Sequence, residues 1–164
     1  MGVEIRRAEP ADERALRTLD HANWTTLSSP TPVPPPERPF FNERTSPANV
    51  LVAHVKGALA GYVKVGRPTE VASNAHVQMV QGLTVDEAFR RRGVGRALLD
   101  AAVIEARARG ARRLTLRVLS HNEAAIALYE SVGFVVEGAQ REEFFLDGRY
   151  VDDVLMALDL GAGG

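Results

Sequence analysis

The chain has 164 residues, 45% apolar and 25% charged, the composition of one ordinary globular domain able to bury its own core without a metal or a disulfide. A net charge of −1 excludes a broad electrostatic attraction to nucleic acid or to an anionic membrane. The absence of cysteine excludes disulfides, thiolate catalysis and zinc–thiolate sites, and leaves the redox compartment open. No run approaches the ~18 continuous apolar residues of a membrane span, and the amino terminus carries no apolar export signal, so the cytoplasm is the expected location.

Val3 to Arg7 alternates apolar and polar residues, the pattern of a half-buried strand. Pro10 opens a helix that runs through about His21, with Ala15, Leu16 and Leu19 on its buried side. Thr25 to Asn49 holds seven of the nine prolines and cannot be regular helix or central strand. It reads either as a solvated polyproline-type loop or as a loop over a substrate site, and Phe40 and Phe41 favour partial docking. Val50–Val55 and Ala60–Val65 are strands of a hairpin turned at Lys56-Gly57.

A strand follows over Val77–Val85, then a helix over Val94–Arg109 that Gly110 stops. Val94, Ala97, Ala101, Ile104 and Ala108 recur at helical spacing and predict its buried face. Leu114–Leu119 is a buried-type strand. Ser120 and Glu123 form a capping-box pattern opening a second helix, which Gly133 ends. Phe134–Leu146 and Arg149–Leu158 are two strands around the tight-turn pair Asp147-Gly148, and Gly161–Gly164 is a flexible tail. The predicted fold is mixed α/β (α+β): a mostly antiparallel sheet of about seven strands with about four helices, in a single domain over residues 1–160.

The chemistry concentrates where the strand ending at Leu83-Thr84-Val85 runs into Arg90-Arg91-Arg92-Gly93-Val94-Gly95-Arg96. The first N–H groups of a helix lack internal partners and sit at the positive end of its dipole. Gly93 and Gly95 let an anion approach them, and the arginines add charge and donors. No Gly-Lys-Ser/Thr follows, which excludes the nucleoside-triphosphate loop, and the third glycine of a dinucleotide fingerprint is missing. A pyrophosphate cradle and a merely solvated basic cap both fit this stretch alone.

A second constellation lies about thirty residues on, with Asn122, Ala125, Leu128-Tyr129 and Gly133-Phe134. The pair resembles the GNAT superfamily of acyl-CoA N-acyltransferases. Arg90, Gly93 and Gly95 match its Gln/Arg-x-x-Gly-x-Gly/Ala loop, and the second stretch matches its Asn, Ala, Leu-Tyr and Gly-Phe motif. The resemblance is specific from about Leu83 to Phe134, and element order extends it over most of the chain.

The resemblance implies acetyl-CoA as cofactor, no metal, and a sheet whose central strands splay apart to admit pantetheine. It implies that Leu83, Thr84 and Val85 line the pantetheine arm and that the N–H groups from Arg91 to Arg96 hold the pyrophosphate. Asn122 and Ala125 would contact the cofactor arm, and Tyr129 would act as general acid toward the departing thiolate. Tyr129 also lies on an apolar stripe with Ala125, Leu128 and Val132, where a core tyrosine looks the same. The base stays unassigned, with His54, His76, Gln81 and His121 as polar candidates.

Resemblance also bears on the acceptor. The Asn122–Phe134 stretch is similar to enzymes that acetylate the amino-terminal alanine of a ribosomal protein, yet Arg117 stands where those carry a glutamate base. The carboxy-terminal strands look more like members acting on free amino acids. The expected function is acetyl transfer to a primary amine by direct attack, with a small α-amino compound as acceptor. The alternatives are a protein amino terminus or lysine, and a non-catalytic acyl-CoA sensor. No nucleic-acid or membrane partner is expected. Proteins of this family are frequently dimers, often through the carboxy-terminal strands, where Phe144 and Phe145 would be the apolar contacts of a homodimer here.

Overall fold

The computed structural model describes residues 2–161; of the predicted tail, Ala162–Gly164 lie outside the described residues. Seven strands and three α-helices follow one another as β1 (Val3–Arg7), α1 (Glu13–Ala22), β2 (Val50–Val55), β3 (Ala58–Gly66), β4 (Val77–Val85), α2 (Val94–Ala108), β5 (Arg113–Leu119), α3 (Glu123–Val132), β6 (Val135–Leu146) and β7 (Arg149–Asp159). The strands are ordered β1-β2-β3-β4-β5-β7-β6, with β1–β2, β2–β3, β5–β7 and β6–β7 antiparallel and β4–β5 parallel over Val77–Met79 and Arg113–Thr115. Expected strand number and mixed class agree with this. The expected four or so helices reduce to three, because the remaining helical pieces among the described residues are single 3-10 turns.

The chain forms two compact units. The first takes the residues up to Asn23, Pro34–Gly66 and Val80–Glu105; the second takes Trp24–Val33, Arg67–Met79 and the chain from Ala106 on.

In the first unit, Leu16 and Leu19 of α1 pack with Ala8, Val50, Val52, Tyr62 and Phe40. The helix begins later than Pro10, which starts a 3-10 turn over Pro10–Asp12, and Ala15 faces solvent instead of the core. The proline-rich loop docks at Phe40, which is 6% exposed and meets the rings of Phe41 and Tyr62 edge-on at 5.3 and 5.0 Å. Glu13 fixes the approach: its carboxylate accepts from the Phe40 and Phe41 N–H groups at 3.1 and 2.9 Å. Burying a ring of that size contributes roughly 1.5–3 kcal/mol, the scale of fixing one or two residues of backbone, so it pins the loop locally at Phe40 and Phe41.

β3 approaches β4 unusually closely at Gly61. A Cβ there would lie 2.5 Å from Thr84 O and 3.2 Å from Leu98 Cδ1, so no side chain fits. The β2–β3 register skips Ala60, which leaves the Ala60 carbonyl free to accept from Asp86 N–H at 2.8 Å. That bond anchors the end of β4, where the basic loop begins.

The buried face of α2 is Val94, Leu98, Leu99, Ala102 and Ala106, rotated by about a third of a turn from the predicted face at ~100° per residue. Ala97 and Ala101 are half-buried, Ala108 is exposed, and Ile104 is 69% exposed. The cause is area: the adjacent Leu98-Leu99 pair outweighs a stripe made mostly of alanines. Leu98→Ala should therefore cost about 2–5 kcal/mol, while Ile104→Ala should stay within ~0.5 kcal/mol of the parent. Urea unfolding of the two variants checks this, and equal losses would reinstate the alanine face.

In the second unit, β7 lies between β5 and β6. Asp153 of β7 is 4% exposed, and its carboxylate accepts from Arg117 Nη1 at 3.0 Å. Arg117 reaches Gln140 as well, at 3.3 Å. β6 bulges twice, at Glu137 and over Arg141–Glu143, where the Glu142 N–H donates to Asp152 Oδ1 at 2.9 Å.

Candidate active site

The basic loop leaves β4 through a single turn, Glu87–Phe89. Its entrance is pinned from the residue that follows α1, since Asn23 Oδ1 accepts from Glu87 N–H at 3.1 Å and from Arg90 Nη2 at 3.5 Å. Arg90 Nε donates to Val85 O at 3.3 Å, so this guanidinium is folded back onto the strand end. Arg91 and Gly93 take left-handed backbone, with φ of 63° and 78°. For arginine this costs roughly 1–2 kcal/mol, whereas for glycine it costs almost nothing. Residues 90–93 are exposed.

Gly93 O accepts from Ala97 N–H at 3.0 Å, closing the first turn of α2. The N–H groups of Val94, Gly95 and Arg96 therefore precede the first intrahelical bond, at the positive end of a 15-residue helix. Arg92 lies over the Phe89 ring at 5.7 Å, and Arg96 pairs with Asp100 at 3.4 Å. This set of amides and guanidiniums fits a pyrophosphate by its donor chemistry. Among the described residues no cluster of His, Cys, Asp or Glu could hold a metal.

Leu83, Thr84 and Val85 are half-buried. The Thr84 hydroxyl bonds the Tyr62 hydroxyl, which in turn donates to Asp20 Oδ1. Burial first, and then Asp20, hold the Tyr62 phenol far above its ordinary pKa, so it stays a donor. Lys64, one residue further along the same face of β3, places its ammonium 4.7 Å from the Phe40 ring centre and 5.7 Å from that of Tyr62. These residues were missed in the sequence, although a lysine between Val63 and Val65 in an otherwise apolar strand was a visible anomaly.

In the second unit, Asn122 caps α3, its Oδ1 accepting from Ala125 N–H at 3.3 Å. The expected Ser120–Glu123 box does not form, because Ser120 Oγ accepts from Asp152 N–H at 3.1 Å. Two turns on, the Tyr129 ring is buried, 5.9 Å from Phe134. Burial pushes its phenol up to about 12. The hydroxyl takes no hydrogen bond from the described residues. A phenol that keeps its proton at neutral pH and has a free donor is equipped to act as an acid.

The base candidates are scattered. His54 lies on β2, half-buried, and His121 Nε2 contacts Thr26 O at 2.9 Å. His76 and Gln81 are exposed, at the start and middle of β4.

The model of the acetyltransferase (GNAT) family matches residues 15–134, which takes in the basic loop and all of α3. The chain belongs to the GNAT family. Curated relatives of this chain include ribosomal-protein alanine N-acetyltransferases. That of Escherichia coli is 44% identical over 80 residues, 48% of this chain and 53% of that enzyme. The chain thus matches about half the length of these relatives.

Two other GNAT relatives align end to end. An L-amino acid N-acetyltransferase of Escherichia coli is 31% identical over 94% of this chain and 96% of its own length. An N-alpha-acetyltransferase of Mycobacterium tuberculosis is 36% identical over 93% and 95%. Among solved structures, a Salmonella typhimurium acetyltransferase with its cofactor acetyl-CoA superposes with a TM-score of 0.82 at 24% identity, covering 100% of this chain and 97% of that one. At that identity the likeness bears on the GNAT fold alone.

Proposed function

We propose that the protein transfers an acetyl group from acetyl-CoA to the α-amine of a small amino compound, with an amino acid as the first candidate. The carrying observation is the curled basic loop at the start of α2, which presents the amides of Val94, Gly95 and Arg96 ahead of the first helical bond. When bound, acetyl-CoA supplies an activated thioester. Arg91–Arg96 would hold the pyrophosphate through their N–H groups, while Arg90 fixes the loop to Val85. Leu83 and Val85 would bond the pantetheine arm through their backbone, with Thr84 between them held to β3. Val85 N–H would polarise the thioester carbonyl. Asn122 and Ala125 would contact the arm, and Tyr129 Oη would be the proton donor for the departing thiolate. No side chain is assigned as the base that takes the proton of the amine.

That missing base selects the amine. Near pH 7.4 roughly a quarter of peptide-type α-amines are neutral, against about a thousandth of lysine side chains. Free amino acids fall between these limits. The end-to-end likeness to an L-amino acid N-acetyltransferase supports this acceptor. A second reading, acetylation of a protein amino terminus, draws on the likeness to the N-alpha-acetyltransferase. A sensor without turnover has no use for the free donor of Tyr129. We place the protein in the cytoplasm as one GNAT domain over residues 1–160, without nucleic-acid or membrane partners. Homodimerisation through the β6–β7 edge would cover the exposed Phe145 and Tyr150.

The test is a thiol-release assay with acetyl-CoA over free amino acids, amines, and peptides with free amino termini or internal lysines. Turnover should concentrate on free amino acids. Efficient modification of lysines with none on any small α-amine would sink the acceptor assignment.

A further inference from the structure

Lys64 is a cation without a counter-ion in contact. It rises from β3 between Val63 and Val65, both nearly fully buried, and lies across two aromatic rings. No hydrogen bond or ion pair to its ammonium exists among the described residues, and the ammonium, half-buried, keeps an opening to solvent through which a ligand can reach it. An ammonium has three donors, and desolvating it without acceptors is costly. Desolvation lowers its pKa, Arg38 lowers it further, and the nearby Asp20 charge opposes both. Asp20 already takes the Tyr62 hydroxyl and acts on Lys64 only through space.

The neighbour of Lys64 on β4 is Gly82. A Cβ at Gly82 would sit 3.5 Å from Lys64 Cδ and 3.7 Å from Tyr62 Cε1, so the two strands present one continuous face here. Gly82 directly precedes the Leu83–Val85 segment assigned above to the pantetheine arm. The same face is bordered by Phe40 and Phe41 from the proline-rich loop, held by Glu13. An amine positioned to attack at the end of that arm therefore has a fixed cation a few residues away, walled by aromatic rings.

We propose that Lys64 binds the carboxylate of the acceptor, making the site selective for α-amino acids over amines that lack the acid. This deepens the acceptor reading given above and rests on it. Two of the ammonium's donors would be taken by the carboxylate oxygens, and the Phe40 and Tyr62 rings would exclude water from the contact. Tyr62 and Asp20 act as positioning residues that keep the cation charged and the ring upright.

The experiment compares wild type with Lys64→Met and Lys64→Arg. Acceptors are a set of L-amino acids, their carboxamides, and the matching decarboxylated amines, all with saturating acetyl-CoA. Methionine keeps the length and apolar stem of lysine, and acetyl-CoA-induced thermal stabilisation reports that each variant is folded. Lys64→Met should raise KM for amino acids about 10–100-fold, the scale of one charge-assisted contact. It should leave kcat near wild type and the carboxamides and amines little changed. Lys64→Arg should restore part of the loss. In titrations with CoA present, the N-acetylated amino acid should bind wild type and not Lys64→Met. Amino-acid turnover indifferent to Lys64→Met, or a loss shared equally by acids, amides and amines, overturns the carboxylate site alone. Failure of wild type to acetylate any free amino acid overturns the acceptor reading together with this site.

Discussion

Gly95→Asp is expected to abolish the thermal stabilisation by acetyl-CoA and to weaken its binding by at least ~100-fold. Gly95 occupies the second position of α2, inside the set of amides that precede the first helical bond. A carboxylate there meets the charge of a pyrophosphate directly. Two unit charges 4 Å apart repel by about 4 kcal/mol at an effective dielectric of 20, and each 1.4 kcal/mol is a factor of ten in affinity. The substitution separates binding from folding, because an aspartate in the first turn favours the helix dipole. The apo variant should therefore melt at or near the parent temperature while the ligand-induced shift disappears. A wild-type shift that survives in the variant places the pyrophosphate elsewhere. No wild-type shift at millimolar acetyl-CoA removes the cofactor from the account.

Tyr129→Phe should lower kcat by roughly 10²-fold, the usual scale for losing one positioned acid, while affinity for acetyl-CoA stays near wild type. The ring contact with Phe134 survives the change, so stability should move little. The pH dependence carries a second signature. With its phenol near 12, Tyr129 is protonated over the whole working range. Activity should climb as the acceptor amine loses its proton, and ionisation of Tyr129 should cause no fall below about pH 11. The Phe variant should keep the rising limb at reduced height. Unchanged turnover on a productive acceptor would return Tyr129 to the hydrophobic core.

The contiguous features could be read from the sequence. β4 and the basic loop stand in one run, Val77 to Arg96, so strand pattern, glycines and charge are all local signals. Alternating β-branched residues marked the strands to within two residues at either end. Two local signals misled. The alanines of α2 have helical spacing but too little area to compete with Leu98 and Leu99 for the core. Ser120-x-x-Glu123 has the form of a capping box, yet Asp152 of β7 claims the serine, and Asn122 takes over the cap. What could not be read was tertiary. Asp20, Tyr62, Lys64 and Thr84 come from one helix and two strands, and no interval between them predicts that they meet. Gly61 looks like an ordinary weak point in a strand; only the 2.5 Å approach to Thr84 O explains it.

The pairing of Arg117 with the buried Asp153 constrains both positions. A single exchange of Arg117 for glutamate here would remove the only cation bonded to Asp153 among the described residues and set a second carboxylate against it. An uncompensated buried charge of this kind costs on the order of 3–5 kcal/mol, a large share of a domain's whole stability. Exchange of Arg117 is therefore tolerated only where position 153 gives up its charge as well, and Arg117 is held in place by its neighbour.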